Sequence, residues 1–174
     1  LVKPDLGKKS HSGAFFGTAH HKLLQYINYN CNSVQKECDR LFEKGILTEE
    51  EYSVIDVSKI EEFLSSSLGK MLRKADKVFR EEPFVISVEA NEIDSSLPIG
   101  ETICVQGIID CYFEYNNKVI LVDYKTDNVS DVSVLAENYS MQVAIYKAAL
   151  EKIENKKVKQ ALIYSLKLGE TIEV

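Results

Sequence analysis

The sequence predicts a mixed α/β layer fold, and three observations predict it. Apolar residues recur at helical spacing through the first part of the chain, as far as Lys74. From Val78 the composition shifts to β-branched and aromatic runs that read as three strands. A long helical pattern and one further strand pattern then follow, so the order is helices, three strands, a helix and a strand. At 174 residues, 45% of them hydrophobic, the chain can bury one proper core. A single domain over 1–174 is expected, mainly helical over 1–76 and β-β-β-α-β over 77–174.

Each element has a local reason. After a polar lead-in from Leu1 to Ser10, the stretch from Ser12 to about Asn30 carries Phe16, Ala19, Leu23, Leu24 and Ile27 at helical spacing. A second helix is predicted over Val34 to Glu43. Thr48 with Glu51 three residues on is a capping box, in which each side chain satisfies the other residue's backbone N–H, and it starts a short helix. Ser58 to Lys74 places Ile60, Phe63, Leu64, Leu68, Met71 and Leu72 on one stripe. Val78 to Ala90, Thr102 to Tyr115 and Lys118 to Thr126 read as strands. Asn116 and Asn117 supply the turn between the last two, because asparagine tolerates positive φ better than most residues. Asp131 to Ile153 is a helix, apolar on most sides through Val143, Ala144, Ile145, Ala148, Ala149 and Leu150, and is expected to be packed within the fold. Val158 to Leu168 returns as a strand.

Composition excludes several functions. A net charge of −6, from 21 Lys and Arg against 27 Asp and Glu, argues against holding nucleic acid by bulk electrostatics alone. Acidic residues gathered at a metal site would be offset in part by bound cations. With no bilayer-length apolar run and no apolar signal region, the reading is a soluble, cytoplasmic protein. The chain begins with Leu and stops at Val174 inside what reads as a strand, so it is expected to belong to something longer. Cys31 with Cys38, and Cys104 with Cys111, are spaced like neither a zinc site nor a disulfide framework. They read as free core thiols, with an iron–sulfur site using all four as the alternative. There is no phosphate-binding loop of Gly, Lys and Ser or Thr, no nucleophile elbow, and too few histidines for a zinc hydrolase.

The strongest chemical clue lies in the predicted hairpin. With the turn centred between Asn116 and Asn117, facing residues have numbers that sum to 233, so Asp110 faces Asp123. Two carboxylates directly opposite, with Cβ atoms roughly 4.5–5.5 Å apart, repel. Side chains alternate along a strand, so Lys125 points to the same side as Asp123. Two readings stand at this point. A hard divalent cation such as magnesium or manganese would suit the carboxylate oxygens and relieve the repulsion. Alternatively, a lysine is salt-bridged to two surface acids on an edge hairpin. A three-residue turn would break the pairing altogether.

The run Gly107-Ile108-Ile109-Asp110, then Asp123-Tyr124-Lys125-Thr126-Asp127, then Gln142 with Tyr146 resembles the RecB-like branch of the PD-(D/E)XK nucleases. In that branch the order is G-x-x-D, D-Y-K-T and Q-x-x-x-Y, preceded by a helical histidine in a G-T-x-x-H context. Gly17-Thr18-Ala19-His20-His21 fits the last with His21, and Arg80-Glu81-Glu82-Pro83-Phe84 resembles the R-E-x-P-F segment of AddA-type nuclease domains. Any one motif is weak, whereas five in order are strong.

The resemblance implies a restriction-endonuclease-like fold, with a mixed central sheet flanked by helices and an N-terminal helical portion. It implies a magnesium-dependent deoxyribonuclease, with manganese able to substitute. His21, Asp110, Asp123 and the backbone carbonyl of Tyr124 would hold one or two ions, and Lys125 would orient or help deprotonate the attacking water. Gln142 and Tyr146, at i and i+4 of one helix, would place the lysine, the water or the DNA backbone; on residues alone they read as a buried polar pair. Periodicity alone makes His20 a satisfied core histidine and His21 a surface one, while motif position picks His21 as the ligand, with His20 as the fallback. Glu81 and Glu82 read as solvated charges at a strand end, and any role for Glu81 near metal or DNA rests on the family segment.

The implied partners are single-stranded DNA, helicase domains of the same full-length chain and a second, AddB-like subunit, as in the AddAB and RecBCD enzymes of double-strand break repair. A stand-alone RecB-like exonuclease of phage or CRISPR-associated type is the alternative enzyme. A degenerate fold that only docks or binds DNA is the alternative outside enzymes.

Overall fold

Two asparagines set the register of the sheet. Asn116 and Asn117 lie at φ 50° and 59°, the left-handed pair that a two-residue hairpin turn demands and that asparagine tolerates. From this turn β2 (Thr102–Tyr115) and β3 (Lys118–Lys125) run back antiparallel, pairing Tyr115 with Lys118 through to Cys111 with Val122. These are the pairs that the centred turn predicts.

This computed structural model describes residues 13–93, 96 and 98–174. The lead-in from Leu1 to Ser10 and the expected helix start at Ser12 lie outside the described residues. The chain forms two units, 1–57 and 58–174.

The first unit holds α1 (Gly13–Tyr26), α2 (Val34–Glu43) and α3 (Glu49–Val54). The helix expected to reach Asn30 ends four residues earlier. The capping box is present in full: Glu51 N–H donates to Thr48 Oγ1 at 3.1 Å and Thr48 N–H to Glu51 Oε2 at 2.8 Å. Such a cap contributes about 1 kcal/mol. Glu51 also takes Lys22 Nζ at 2.8 Å, which ties α3 to α1.

The helices that follow are α4 (Val57–Ser65), α5 (Ser67–Arg73), α6 (Ala90–Ile93) and α7 (Val132–Glu154). The second unit carries a five-stranded mixed sheet of order β1-β2-β3-β4-β5, with β1 at Lys77–Glu89, β4 at Val158–Ser165 and β5 at Glu170–Glu173. Only β3 and β4 are parallel, and α7 makes the crossover that a parallel pair requires. One sheet face packs on α7 through Ile109, Leu121, Ile163, Val143 and Leu150. The other holds Tyr124 and Tyr164, which meet Phe63 of α4 edge-on at centroid distances of 5.4 and 4.8 Å.

Three expectations need correction. The single helix over Ser58 to Lys74 is two, α4 and α5, because Ser66 breaks the run and caps α5 by accepting the N–H of Gly69. The expected final strand ends at Ser165, and Gly169, at φ 72°, turns the chain into the additional strand β5. Helix α7 is not enclosed: Met141 and Ile153 are half exposed and Ala144 and Ala148 lie on the surface. Small residues there make the helix look apolar without making it buried. Of the cysteines, Cys38 and Cys111 are core, Cys31 is partly buried and Cys104 is exposed. No helix among the described residues is long and apolar enough to cross a membrane.

The α4–α5 break makes a measurable demand. A Cβ on Gly69 would run into the carbonyl oxygen of Phe63 and the backbone of Leu64. Gly69→Ala should cost about 1–3 kcal/mol, as overpacking does. Gly13→Ala, whose new Cβ meets nothing within 4 Å, should stay within about 0.5 kcal/mol of the parent. Thermal melting of the two variants checks the difference.

Candidate active site

The pairing of β1 with β2 is interrupted at one place. It runs from Lys77 with Glu114 to Arg80 with Cys111, and resumes at Glu82 with Ile109. Between these stand Glu81 and Asp110. Glu81 has φ 51°, a left-handed conformation unusual for a glutamate and of the kind that clusters at functional sites. A carboxylate oxygen of Glu81 and one of Asp110 lie within 4.8 Å of one another. Both glutamates of the Arg80–Phe84 run sit in mid-strand and are half-buried, so the strand-end reading of Glu81 and Glu82 is corrected. In the sequence only a family segment hints at Glu81; a positive φ at a non-glycine residue leaves no mark in composition.

Asp110 is fixed from the other side as well. The β2–β3 ladder reaches Cys111 and Val122, and beyond it the Asp110 carboxylate accepts the N–H of Tyr124 at 2.8 Å through Oδ2. A side chain thus takes over where the backbone ladder stops, which holds the acid against the strand that carries Asp123.

Asp123 is 1% exposed. Its Oδ2 meets Lys125 Nζ at 2.8 Å as an ion pair whose angles fall outside hydrogen-bond geometry. Burying a carboxylate is costly unless it is compensated, and removing one partner of such a pair leaves a stranded charge. Lys125 Nζ also donates to Gln142 Oε1 at 3.0 Å, and Gln142 Nε2 donates to the Tyr146 hydroxyl at 2.7 Å. Acid, lysine, amide and phenol therefore form one continuous chain. Burial raises the Tyr146 pKa most; the Gln142 hydrogen bond lowers it, and the negative charges of Asp123, Asp110 and Glu81 raise it further. All three carboxylates act on the same phenol.

Helix α7 supplies its part through one face. Tyr139, Gln142 and Tyr146 fall at i, i+3 and i+7 and so point the same way. The Tyr139 ring lies under the ammonium, 4.0 Å from Lys125 Nζ to the centroid, and its hydroxyl donates to Asp127 Oδ1 at 2.8 Å. That hydrogen bond first, then burial, pushes the Tyr139 phenol up to about 12. The sequence motifs do not single out Tyr139, although it stands one turn before Gln142 on the helix that bears the site.

Gly107 has a steric reason. A Cβ there would stand 2.8 Å from the Phe84 ring and 3.5 Å from the Tyr146 ring, and those rings pack edge-on at 5.6 Å. A cavity of about 380 Å³ opens beside them, lined also by Met141 and Gln142.

In the first unit, His20 is a core histidine. It is 0% exposed, its Nδ1 donates to the Phe16 carbonyl at 2.8 Å, and its Nε2 accepts the Asp56 N–H at 2.9 Å. Both ring nitrogens are spent, so His20 has none to offer an ion. His21 is half-buried on the same helix.

Residues 3–173 match the PD-(D/E)XK nuclease superfamily. The chain belongs to this superfamily. It is similar to bacterial proteins whose names make each of them one subunit of an ATP-dependent helicase/nuclease. The one from Clostridium kluyveri is 39% identical over 156 residues, 85% of this chain and 13% of that protein. Those from Ruminiclostridium cellulolyticum and Alkaliphilus oremlandii are 37% and 34% identical over 97% of this chain, and over 14% and 15% of their own lengths. The chain therefore spans about a seventh of these relatives.

PD-(D/E)XK nucleases use divalent metal ions, and the donors fit one. The Glu81 and Asp110 oxygens stand within reach of a shared cation, and carboxylate oxygens are the hard ligands that magnesium, manganese or calcium prefer. The mixed sheet flanked by helices is the architecture expected of this superfamily.

His20 makes the stability of this PD-(D/E)XK chain depend on pH. Burial lowers its pKa below the ordinary 6.5, outweighing the Phe16 and Asp56 contributions that raise it. A depressed folded-state value means that the stabilising contribution is complete above 6.5 and is lost as pH falls through the lowered pKa. Melting temperatures taken from about pH 7.5 to about pH 5 should drop more steeply for the parent than for His20→Gln, which cannot ionise. Parallel slopes would contradict the assignment.

Proposed function

We propose that residues 1–174 form a single magnesium-dependent deoxyribonuclease domain, with manganese able to substitute, and that it belongs to a longer ATP-dependent helicase-nuclease acting in double-strand break repair and recombination. The observation that carries the reading is the run from Asp123 through Lys125 and Gln142 to Tyr146, beside the Glu81 and Asp110 carboxylates. The names of the relatives support the larger setting. In that setting the substrate is single-stranded DNA delivered by helicase domains of the same protein, an AddB-like second chain takes part, and the compartment is the cytoplasm.

Asp110, Asp123 and the Tyr124 carbonyl would hold the ion, joined by Glu81 for its nearness to Asp110. His21 joins this set on motif position alone. When bound, the ion supplies Lewis-acid charge to the scissile phosphate and lowers the pKa of the attacking water. Lys125, fixed between Asp123 and Gln142, orients that water through Nζ–H and stabilises hydroxide as it forms. Tyr146 accepts from Gln142, and so keeps its own O–H to donate to a phosphate oxygen. The Tyr124 N–H keeps Asp110 from turning away.

Incubation of the purified chain with magnesium and single-stranded DNA tests the proposal. Asp123→Ala and Lys125→Ala should each lower the cleavage rate by roughly a hundredfold or more, the scale seen when a charge-stabilising group at a reacting centre is removed. Chelation should stop the parent, and added magnesium or manganese should restore it. Equal degradation by the parent and Asp123→Ala would refute the reading.

A further inference from the structure

We propose that Tyr139 is the positioning residue for Lys125: its ring face forms one wall of the seat that holds the ammonium group, and Asp127 locks that wall through the tyrosine hydroxyl. The inference rests on Lys125 being the lysine of the nuclease reading. Geometry around one nitrogen carries it.

Lysine has a flexible four-carbon stem and a point charge that imposes little direction on its partners. Left with one ion pair, Lys125 could swing. It is instead bounded on three sides, by Asp123 Oδ2 at 2.8 Å, Gln142 Oε1 at 3.0 Å and the Tyr139 ring centroid at 4.0 Å. The aromatic face attracts the cation through its quadrupole and excludes water from that side. Side-chain exposure falls to 12% at Lys125.

The ring is itself held. Tyr139 donates to Asp127 Oδ1 at 2.8 Å, and Asp127 lies two residues beyond Lys125 on the segment leaving β3. Lysine and wall are therefore tied to the same short stretch of backbone from opposite ends. This gives the last residue of Asp123-Tyr124-Lys125-Thr126-Asp127 a task that metal binding does not assign it. A leucine at 139 would leave a smaller wall without the quadrupole, while a phenylalanine would keep the ring and lose the lock.

Two readouts test the seat, both on the 174-residue chain. In magnesium-dependent cleavage of single-stranded DNA, Tyr139→Leu should lower kcat about tenfold with KM within about twofold, whereas Tyr139→Phe should stay within about threefold of the parent in kcat. In the metal-free chain, brief acetylation with acetic anhydride followed by peptide mass spectrometry reads access to Lys125 directly. Labelling should rise about fivefold in Tyr139→Leu, and by an equal, smaller factor of about two in Tyr139→Phe and Asp127→Ala, which break the same lock. Should Tyr139→Leu fail to fold, the matched pair of Tyr139→Phe and Asp127→Ala decides. Unchanged labelling in a folded Tyr139→Leu, unequal effects of the two lock variants, or a Tyr139→Phe as impaired as Tyr139→Leu would overturn the proposal. A parent chain that does not cleave at all would sink the nuclease reading, and the labelling comparison would still judge the seat.

Discussion

Everything in the site depends on the register of one hairpin. A two-residue turn at Asn116 and Asn117 fixes Cys111 against Val122, and that brings Asp110 level with the strand end bearing Asp123 and Lys125. A slip of a single residue would turn every β3 side chain to the opposite face. Asp123 and Lys125 would then point at Phe63 and its aromatic neighbours, and Val122 and Tyr124 would face α7. The slip would take both charges away from Tyr139 and Gln142 and set them against aromatic rings. The hydrophobic pattern of the sheet and the chemistry of the site therefore select the same register, for different reasons.

The second constraint is the parallel pairing of β3 with β4. Parallel neighbours need a crossover, and α7 is that crossover, so a helix must lie along the sheet face to which Asp123 points. Once there, residues at i and i+3 reach the lysine, and the residue at i+7 reaches it only through Gln142. Tyr139 and Gln142 bound the ammonium, and Tyr146 closes the chain of contacts over Gly107 and Phe84. A carboxylate that is 1% exposed persists because the topology delivers its partners as part of making the sheet. Rigid elements supply the site, which is the arrangement that keeps side chains in place without further ordering.

Local chemistry is legible in the sequence, and its exceptions are not. The Asn-Asn turn, the Thr48 capping box and the bounds of β2 each follow from local residue chemistry, and the structure has them. The superfamily follows from motifs that the family comparison supports. The break at Ser66 escapes a reading of periodicity because the apolar stripe continues across it; Ser66 caps α5, and Gly69 then lies close to Phe63 where a Cβ would not fit. Helix α7 looks more buried in sequence than it is, because alanine counts as apolar wherever it lies. At the site, alternation puts Lys125 on the side of Asp123, and the two meet there. The left-handed backbone at Glu81 and the cation seat at Tyr139 arise from tertiary pairing, which no local pattern encodes.

On the proposed nuclease reading, the distribution of charge explains how an acidic chain could serve an anionic substrate. Net charge of −6 gives DNA no general attraction, and the negative charges felt at Tyr146 would repel a phosphate outright. Lys125, the cation that meets these acids at Asp123, is already matched to that carboxylate. A bound divalent ion would supply compensation. A divalent cation between carboxylates reverses the local field and makes the same residues that repel phosphate attract it. On the proposed nuclease reading, affinity for a strand would be conditional on the ion that also makes cleavage possible, and an acidic chain would gain selectivity in this way: DNA would be held where it can be cut and repelled elsewhere.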